Sequence, residues 1–443
     1  WTNDKDLHAV NLSSMGVSAN FSATPVSGIN PLIVQFTDAS SGTITSRLWT
    51  FGDGQTSTDL NPQHTYTTPG SFTVSLTVNG PAGSDVESKT NYISVYSEVK
   101  SNFSADKTNG IAPLLVSFTN GSTGSYTSLF WNFGDGGTSA LTNPTHNYTA
   151  GGVYTVSLTA SGPGGTDTET KTNYITVYTP VIASFTTTPT SGVMPLTVNF
   201  SNTSTGSYTD FSWDFGDGGT STATNPSHIY ASSGTYSVVL TASGPGGTSQ
   251  ATSAINVYTP AVANFTASPT SGIVPINVTF TNTSTGNFSS SFWDFGDGST
   301  SSEINPVHSY STSGAFTVSL TVTGLGGTDT EVKTDHITVY SPTEAQFSGS
   351  PTSGIAPLLV SFTNQSSGDF TSQSWIFGDD ASSVLSNPIH EYLTSGTYTV
   401  SLTIDGPGGL DQETKANYIT VYDPVVAAFS ATPTVGIGPL TVT

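Results

Sequence analysis

Trp49-Thr50-Phe51-Gly52-Asp53 recurs along this 443-residue chain at a near-constant step. The same Trp-x-Phe-Gly-Asp pattern begins again at Trp131, Trp213, Trp293 and Trp375, in steps of 82, 82, 80 and 82 residues. A period of about 80 residues is the length of one small domain that can bury its own core. The sequence therefore predicts an array of similar domains and not a single large enzyme.

Charged residues are few and mostly acidic: 30 Asp and Glu stand against 8 Lys and Arg, for a net charge of −22. Nucleic-acid binding needs clustered Lys and Arg, so this balance argues against that class of partner. The chain has no Cys, so packing and not disulfides must stabilise the domains. No run of 18 apolar residues is present, and we expect no direct membrane insertion of this segment.

Alternating apolar and polar residues within the first repeat indicate short β-strands. Phe72, Val74, Leu76 and Val78 form the clearest period-two stripe, and the segment 80–83 (Gly-Pro-Ala-Gly) after them is a turn. About seven short strands are expected per repeat, with no competing helical periodicity. This pattern predicts an all-β chain, a linear array of immunoglobulin-like antiparallel β-sandwiches.

A second motif, Asn61-Pro62-Gln63-His64-Thr65-Tyr66, follows the first in every full repeat, at 143–148, 225–230, 305–310 and 387–392. Together the two motifs resemble those of tandem PKD domains, named from the polycystic kidney disease protein, over about residues 17–422. The fifth copy departs slightly, because Asp380 replaces the second Gly of the turn.

The resemblance implies extracellular or cell-surface β-sandwich spacers and adhesion or interaction modules. Such domains occur in cell-surface proteins, in archaeal surface-layer proteins, and as accessory domains of secreted proteases, chitinases and collagenases. The tandem, acidic, Ser- and Thr-rich style of this chain is most similar to archaeal surface proteins.

The period also sets the predicted domain boundaries. They are an N-terminal extension at 1–16, PKD-like repeats at 17–96, 97–178, 179–258, 259–340 and 341–422, and a partial sixth repeat with its first two strands at 423–443. Two strands cannot bury a core alone. Truncation and completion by a partner's sheet therefore both stay open, and in the second case 423–443 would mediate self-association, or binding to other surface proteins, by strand complementation.

The joints between repeats are short and of fixed length. The terminal Tyr of each repeat precedes the next repeat's first Phe by seven positions, and Pro180, Pro260, Pro342 and Pro424 lie within the joints. Such joints predict a semi-rigid rod. Repeat three is two residues shorter than its neighbours between Gly247 and Ile255, which we expect to shorten a hairpin tip.

The repeated motif residues are predicted to build the core and the turn of each domain and not to carry chemistry. These structural residues are Trp49, Asp53, Trp131, Asp135, Trp213, Asp217, Trp293, Asp297, Trp375 and Asp379. Weak calcium candidates are the pairs Asp214 with Asp217 and Asp294 with Asp297. The residues equivalent to Asp214 elsewhere are Thr50, Asn132 and Ile376, which favours a turn-fixing role for the aspartates.

No catalytic residue set and no other cofactor site is predicted, because no nucleophile stands in a recognisable context. Twelve Asn-x-Ser/Thr sequons are possible N-glycosylation sites: Asn11, Asn20, Asn102, Asn120, Asn147, Asn199, Asn202, Asn264, Asn277, Asn282, Asn287 and Asn364.

Two functional hypotheses follow. The first is a non-catalytic extracellular structural protein, in which a rod of domains forms or decorates a surface layer, sheath or filament. The second is an adhesion or ligand-binding stalk, for carbohydrate or protein, of a larger secreted or surface protein. Under the second hypothesis, Tyr208, Phe288 and Phe370 are expected to be exposed aromatics in loops before the Trp strand.

Overall fold

The computed structural model describes residues 16–432, 435 and 437–439, and every regular element in it is a β-strand. The chain divides into two compact units: the first contains repeats one and two, the second contains repeats four and five, and the segments of repeat three are divided between them. No helix in the described part of the chain has the length and apolar character needed to cross a membrane. The all-β prediction is confirmed.

Each of the five repeats contributes eight strands. In repeats one and two they are β1 (Phe21–Thr24), β2 (Ser27–Ile29), β3 (Leu32–Asp38), β4 (Ser46–Thr50), β5 (Thr56–Ser57), β6 (Gln63–Tyr66), β7 (Gly70–Gly80), β8 (Gly83–Tyr96), β9 (Phe103–Ala105), β10 (Asn109–Ile111), β11 (Leu114–Asn120), β12 (Ser128–Asn132), β13 (Thr138–Ser139), β14 (Thr145–Tyr148), β15 (Gly152–Gly162) and β16 (Gly165–Tyr178).

The other three repeats follow the same order. Their strands are β17 (Phe185–Thr188), β18 (Ser191–Val193), β19 (Leu196–Asn202), β20 (Asp210–Asp214), β21 (Thr220–Ser221), β22 (Ser227–Tyr230), β23 (Gly234–Gly244), β24 (Gly247–Tyr258), β25 (Phe265–Ser268), β26 (Ser271–Ile273), β27 (Ile276–Asn282), β28 (Ser290–Asp294), β29 (Thr300–Ser301), β30 (Val307–Tyr310), β31 (Gly314–Gly324), β32 (Gly327–Tyr340), β33 (Phe347–Ser350), β34 (Ser353–Ile355), β35 (Leu358–Asn364), β36 (Ser372–Ile376), β37 (Ser382–Ser383), β38 (Ile389–Tyr392), β39 (Gly396–Gly406) and β40 (Gly409–Tyr422).

Each repeat forms a three-stranded and a five-stranded sheet. In repeat one the orders are β1-β3-β6 and β2-β8-β7-β4-β5, and the other repeats have the same arrangement. Pairing is antiparallel except that β2 runs parallel to β8. The inward residues of both sheets form the core, where Val34, Phe36, Trp49 and Leu76 have no exposed surface. The alternation in the sequence therefore sets which face of each strand is buried.

The β7–β8 hairpin carries an irregularity that explains the short third repeat. Between the pairs Phe72–Ile93 and Val74–Lys89, three residues of β8 lie opposite one residue of β7, which leaves two extra residues in a bulge. Asn91 in this bulge has a φ of 54°, a conformation that Asn tolerates better than most residues.

The expectation that repeat three has a shorter hairpin tip is wrong. Its tip is unchanged, because the Thr241–Gln250 side-chain hydrogen bond has the same offset as Thr403–Gln412 in repeat five. Its strand β24 instead alternates between inward and outward residues without the break seen in the other repeats. The missing two residues are those of the bulge, since removing both leaves the inward and outward register unchanged.

The segment after Tyr422 forms no strand in residues 423–432. Val425 and Phe429 are 91% and 97% exposed there, although Val99 and Phe103, at the same repeat positions, are 2% exposed each. The first strand expected in the sixth repeat is thus not formed in residues 423–432. The second expected strand, and the N-terminal extension up to residue 15, lie outside the described residues.

Candidate functional site

The Trp-x-Phe-Gly-Asp motif forms the end of β4 and a tight turn. In this turn Gly52 and Gly54 have φ values of 84° and 92°, which side chains rarely adopt. A Cβ on Gly52 would also lie 2.5 Å from the carbonyl oxygen of Thr73. Asp53 closes the turn by accepting the N–H of Gln55 at 3.0 Å.

The second motif meets the turn from β6. His64 Nε2 lies 2.7 Å from the free carboxylate oxygen of Asp53, and its ring stacks on Phe51 with centroids 4.2 Å apart. Tyr66, next on the same face of β6, donates its O–H to the carbonyl oxygen of Phe51 at 3.0 Å. The same His–Asp contact is made by His146 with Asp135, His308 with Asp297 and His390 with Asp379.

These contacts change the acidity of the turn. Burial opposes ionisation of Asp135, yet the hydrogen bonds from His146 and from the Gly137 N–H outweigh it and lower the pKa of this carboxyl below its ordinary value of 3.8. Asp297 has a lowered pKa for the same reasons. Burial, with a smaller effect of Asp53, raises the pKa of Tyr66. Burial likewise raises the pKa of Tyr148 and of Tyr310, so the turns of repeats two and four each hold an ionised carboxylate and a neutral phenol that join two loops.

The joints are built so that no residue is left free between repeats. At the first joint, the Tyr96 carbonyl oxygen accepts the N–H of Asn30 in its own repeat at 2.9 Å. The next residue, Ser97, already belongs to repeat two: its N–H donates to Ser125 Oγ at 3.0 Å, and its carbonyl oxygen accepts the Ser125 N–H at 3.1 Å. One peptide bond thus spans the two domains.

The later joints show the same hydrogen-bond pattern, although the residue type that accepts the bond differs between them. The residue after each terminal Tyr donates its N–H to a loop side chain of the following repeat, in the pairs Thr179–Ser207, Thr259–Asn287 and Ser341–Asp369, at 3.0, 2.7 and 2.6 Å. Backbone bonding in the return direction is present at each of these joints as well. At each of these joints, therefore, a single peptide bond lies between the hydrogen bonds of one repeat and those of the next.

An apolar contact accompanies three of the joints. Ile29 Cδ1 lies 3.6 Å from the position that a Cβ would take on Gly165, at the start of β16 in the next repeat. The corresponding pairs are Ile111 with Gly247, and Ile273 with Gly409, each at 3.5 Å. A Cβ at these glycines would meet the Ile at van der Waals distance, and it is their φ values of 103°, 100° and 100° that disfavour a side chain.

The PKD domain family model matches the chain in five segments, at residues 22–95, 102–177, 179–259, 258–339 and 343–421. The chain belongs to the PKD domain family. The matched segments correspond to the five sandwiches, so each PKD domain comprises one Trp-x-Phe-Gly-Asp turn together with its Asn-Pro-x-His-x-Tyr segment.

Short segments of this chain, each about the length of one PKD domain, are similar to parts of two bacterial proteins. Collagenase ColA of Bacillus cereus is 43% identical over 70 residues, which is 15% of this chain and 7% of the relative. The pre-pro-metalloprotease PrtV of Vibrio cholerae is 42% identical over 66 residues, again 15% of this chain and 7% of the relative. The matched segment thus spans less than a tenth of either relative.

Solved structures that align with parts of this chain include arrays of immunoglobulin domains. The alignment with the eight N-terminal Ig domains of Down Syndrome Cell Adhesion Molecule covers 92% of this chain and 60% of that chain, at 12% identity and a TM-score of 0.40. The alignment with the titin I-band fragment I67–I69 covers 54% of this chain and 98% of that fragment, at 11% identity and a TM-score of 0.43.

The calcium candidates serve the turns of their PKD domains. Asp214 Oδ1 accepts the N–H of Gly216 and Asp217 Oδ1 accepts that of Gly219, both at 2.9 Å, and Asp294 and Asp297 act likewise. In residues 16–432, 435 and 437–439 no group of three or more His, Asp or Glu side chains is placed to hold a metal ion.

The three loop aromatics expected to be exposed are half-buried. Tyr208, Phe288 and Phe370 pack against core residues at one end of their PKD domains, so the expectation of exposure is wrong. Exposed aromatic rings lie elsewhere, at Phe130 and Phe292, which are 53% and 52% exposed. Both are in the Trp strand, on the outer face of the five-stranded sheet, where alternation opposite the buried Trp could have revealed them.

The described sequons fall into two groups. An exposed asparagine occurs at Asn20, Asn102, Asn147, Asn199, Asn264, Asn277 and Asn287. A half-buried asparagine ends a core strand at Asn120, Asn202, Asn282 and Asn364, and its Oδ1 accepts the N–H of the sequon's own Ser. This second group is part of the fold. Asn11 lies outside the described residues.

Proposed function

We propose that this chain is a non-catalytic, extracellular structural protein, a semi-rigid rod of PKD domains that forms or decorates a cell-surface layer, sheath or filament. The observation that supports this most is the joint at Tyr96–Ser97, where neighbouring atoms of one peptide unit are bound to different domains. A flexible string of independent binding modules does not need such joints, whereas a spacer of fixed length does.

The chemistry of the turns agrees with a structural role. Asp53 uses one carboxylate oxygen on the Gln55 N–H and the other on His64, so both are engaged in holding loops. The net charge of −22 favours solubility over contact with nucleic acid or anionic lipid. Negative-stain imaging of the protein in its native envelope fraction tests the proposal. A lattice, sheath or fibre is expected, and isolated flexible monomers contradict it.

Self-association is the partner class that we propose for the rod. Val425 and Phe429 are exposed here although Val99 and Phe103, at the same repeat positions, are buried. A strand complemented by another copy's sheet would cover them. Sedimentation velocity should show concentration-dependent association that is lost in a Phe429→Ser variant. A full chain that stays monomeric at high concentration contradicts the proposal.

The second candidate function is a ligand-binding stalk of a larger secreted protein. It is favoured by the similarity of single PKD domains to segments of a collagenase and a pre-pro-metalloprotease. Phe130 and Phe292, within the five-stranded sheets, are exposed rings available for such binding. Glycan-array and collagen-binding assays should then show binding that a Phe130→Ala, Phe292→Ala double variant loses, and absence of binding by the unaltered chain rules this candidate out.

A further inference from the structure

Four of the five PKD domains tie their first strand to their last strand with a lysine. Lys89 Nζ, on β8, donates to the carbonyl oxygen of Phe21 at 2.6 Å and lies 4.8 Å from the centre of the Phe21 ring. The equivalent contacts are Lys171 to Phe103, Lys333 to Phe265 and Lys415 to Phe347. A hydrogen bond from a charged donor, with the cation over an aromatic face, is among the stronger local attachments.

The bulge adds a second attachment to the same strand. The Tyr92 hydroxyl accepts the N–H of Ala23 at 3.0 Å, and the Tyr92 ring packs edge-on to Phe21 at 5.6 Å. Tyr174 and Tyr418 do the same for Ala105 and Gly349. In repeat four, His336 takes this place and packs edge-on to Phe265 at 5.7 Å. We call the lysine beside the bulge and the aromatic residue (or His336) within it together the first-strand clamp.

An aspartate of the last strand anchors the residue two positions before the first Phe. Asp85 accepts the N–H of Ala19 at 2.8 Å, and Asp167, Asp329 and Asp411 hold Ser101, Ala263 and Ala345 at 2.7, 2.8 and 2.6 Å. In repeat three the acceptor is the neutral hydroxyl of Ser249, at 3.1 Å from the nitrogen of Ala183. A neutral acceptor at longer distance holds the strand less strongly.

Repeat three also lacks the first-strand clamp. The two-residue deletion removes the bulge, and residues 247–254 contain neither Lys nor an aromatic residue. Phe185 is accordingly only half-buried, whereas Phe21, Phe103, Phe265 and Phe347 are at most 2% exposed. The first strand of this repeat is thus held by fewer and weaker contacts than the first strand of any other repeat.

The joint after repeat three differs as well. Val193 stands where Ile29, Ile111 and Ile273 stand in other repeats. No described heavy atom outside its chain neighbours lies within 4 Å of the position that a Cβ would take on Gly327, the partner glycine at this joint. The shorter Val side chain does not reach across. Two separate differences, in the clamp and in the joint, therefore fall on the same repeat.

We propose that repeat three is the extensible element of the array, which opens first when the chain is pulled at its ends, by release of β17. The chain enters each domain just before its first strand and leaves from its last, so tension loads the attachments between these two strands. Those attachments are the first-strand clamp and the aspartate anchor; repeat three lacks the clamp and has the neutral Ser249 in place of the aspartate. The other four domains stay folded while it opens.

Single-molecule pulling of the full chain tests this directly. We expect one unfolding step at clearly lower force than the other four. The length released in each step is the extended length of the domain, about 3.5 Å per residue, minus the end-to-end length of the folded domain. Five steps at indistinguishable force overturn the proposal. Because all five released lengths are similar, the step is assigned with a graft that replaces residues 249–254 by the sequence of 167–174, which restores Asp, Lys and Tyr. The low-force step should then disappear, and its persistence assigns it to another repeat and overturns the proposal.

A second variant keeps the test valid if the graft does not fold. Lys171→Met with Tyr174→Phe removes the first-strand clamp of repeat two and should create a second low-force step, while Lys107→Met, a change at an exposed lysine, should not. Hydrogen exchange of the unaltered chain shows which repeat has the weakly held first strand. Amides of β17 are expected to exchange at least tenfold faster than those of β9, and equal rates contradict the proposal.

Discussion

His64 Nε2 and Asp53 Oδ2 lie 2.7 Å apart, although the two residues are eleven positions apart in the chain. Their side chains are only 8% and 15% exposed. This contact joins the turn after β4 to β6, and so ties the five-stranded sheet to the three-stranded sheet at one end of the sandwich. The two motifs by which each repeat is recognised are therefore two halves of one structural element.

Removing the charge of this element should destabilise one domain. Asp297→Asn keeps an oxygen for the Ser299 N–H but loses the carboxylate that pairs with His308. We expect a loss of about 1–2 kcal/mol in the unfolding free energy of repeat four, because hydrogen bonds to charged groups contribute roughly that much. Hydrogen exchange of repeat-four amides in the full chain measures it. Asp294→Asn, at a turn-capping carboxylate of the same domain, is the control, and equal effects of the two variants contradict the assignment.

Stability should fall with pH in an acidic window set by the same aspartates. Asp135 and Asp297 have pKa values below the ordinary 3.8 in the folded state, so the unfolded chain binds protons first as pH decreases. Their contribution is complete above about pH 5 and is lost as pH falls through 3.8 towards their folded pKa values. Thermal unfolding measured from about pH 6 down to about pH 2 should show the unfolding temperature decreasing. An Asp135→Asn, Asp297→Asn variant should show a shallower one.

The fifth turn offers a stabilising substitution. Asp380 has a φ of 71°, where Gly54, Gly136, Gly218 and Gly298 have φ values of 91–94° in the other repeats. A side chain in this region costs about 1–2 kcal/mol, partly offset by the greater freedom of Gly when unfolded. Asp380→Gly should therefore stabilise repeat five by about 0.5–1 kcal/mol. Gly298→Asp should destabilise repeat four in a matched unfolding experiment, and a stabilising effect there would show the reasoning to be wrong.

The two groups of sequons should differ in glycan occupancy. Asn202 Nδ2 and Asn282 Nδ2 are buried, and Asn120 Nδ2 donates to the hydroxyl of Tyr126 at 3.1 Å. A glycan on any of these nitrogens would break the end of a core strand. In a glycosylating host, peptide mapping of the folded protein should find glycans at exposed sites such as Asn102 and Asn147 but not at these three. Occupancy of the buried group contradicts the structural role given to it.

The sandwich was predictable because burial follows period-two alternation, as in Phe72, Val74, Leu76 and Val78. Contacts between loops were not, since alternation specifies a face and not which turn meets which strand. Thus the motif positions of Asp53 and His64 were recognised, but their contact was not. Tyr208 was misjudged for a related reason, because its loop folds over the end of the domain and covers the ring.

The deletion in repeat three shows a similar boundary. Its even length indicated that the strand faces would be preserved, and this is what β24 shows. The predicted location of the deletion was wrong. A bulge of two extra residues and a hairpin tip longer by two residues leave the same alternation in the sequence, so the pattern does not distinguish them. The constant seven-residue step predicted short joints of fixed length, but it did not reveal the hydrogen bonds of Ser97 and Thr179 to the following repeat. That the joints are semi-rigid stays a prediction.

The central claim, that neighbouring domains are joined without a free linker, is tested most directly by the distance between two of them. The chain has no Cys, so Ser88→Cys and Thr170→Cys place two spin labels at equivalent exposed positions of repeats one and two. Pulsed electron–electron double resonance should give a single narrow distribution of distances between the two labels. The distribution should broaden when Gly-Ser-Gly-Ser is inserted between Tyr96 and Ser97. A distribution that is already broad in the uninserted chain, and unchanged by the insertion, would contradict the account.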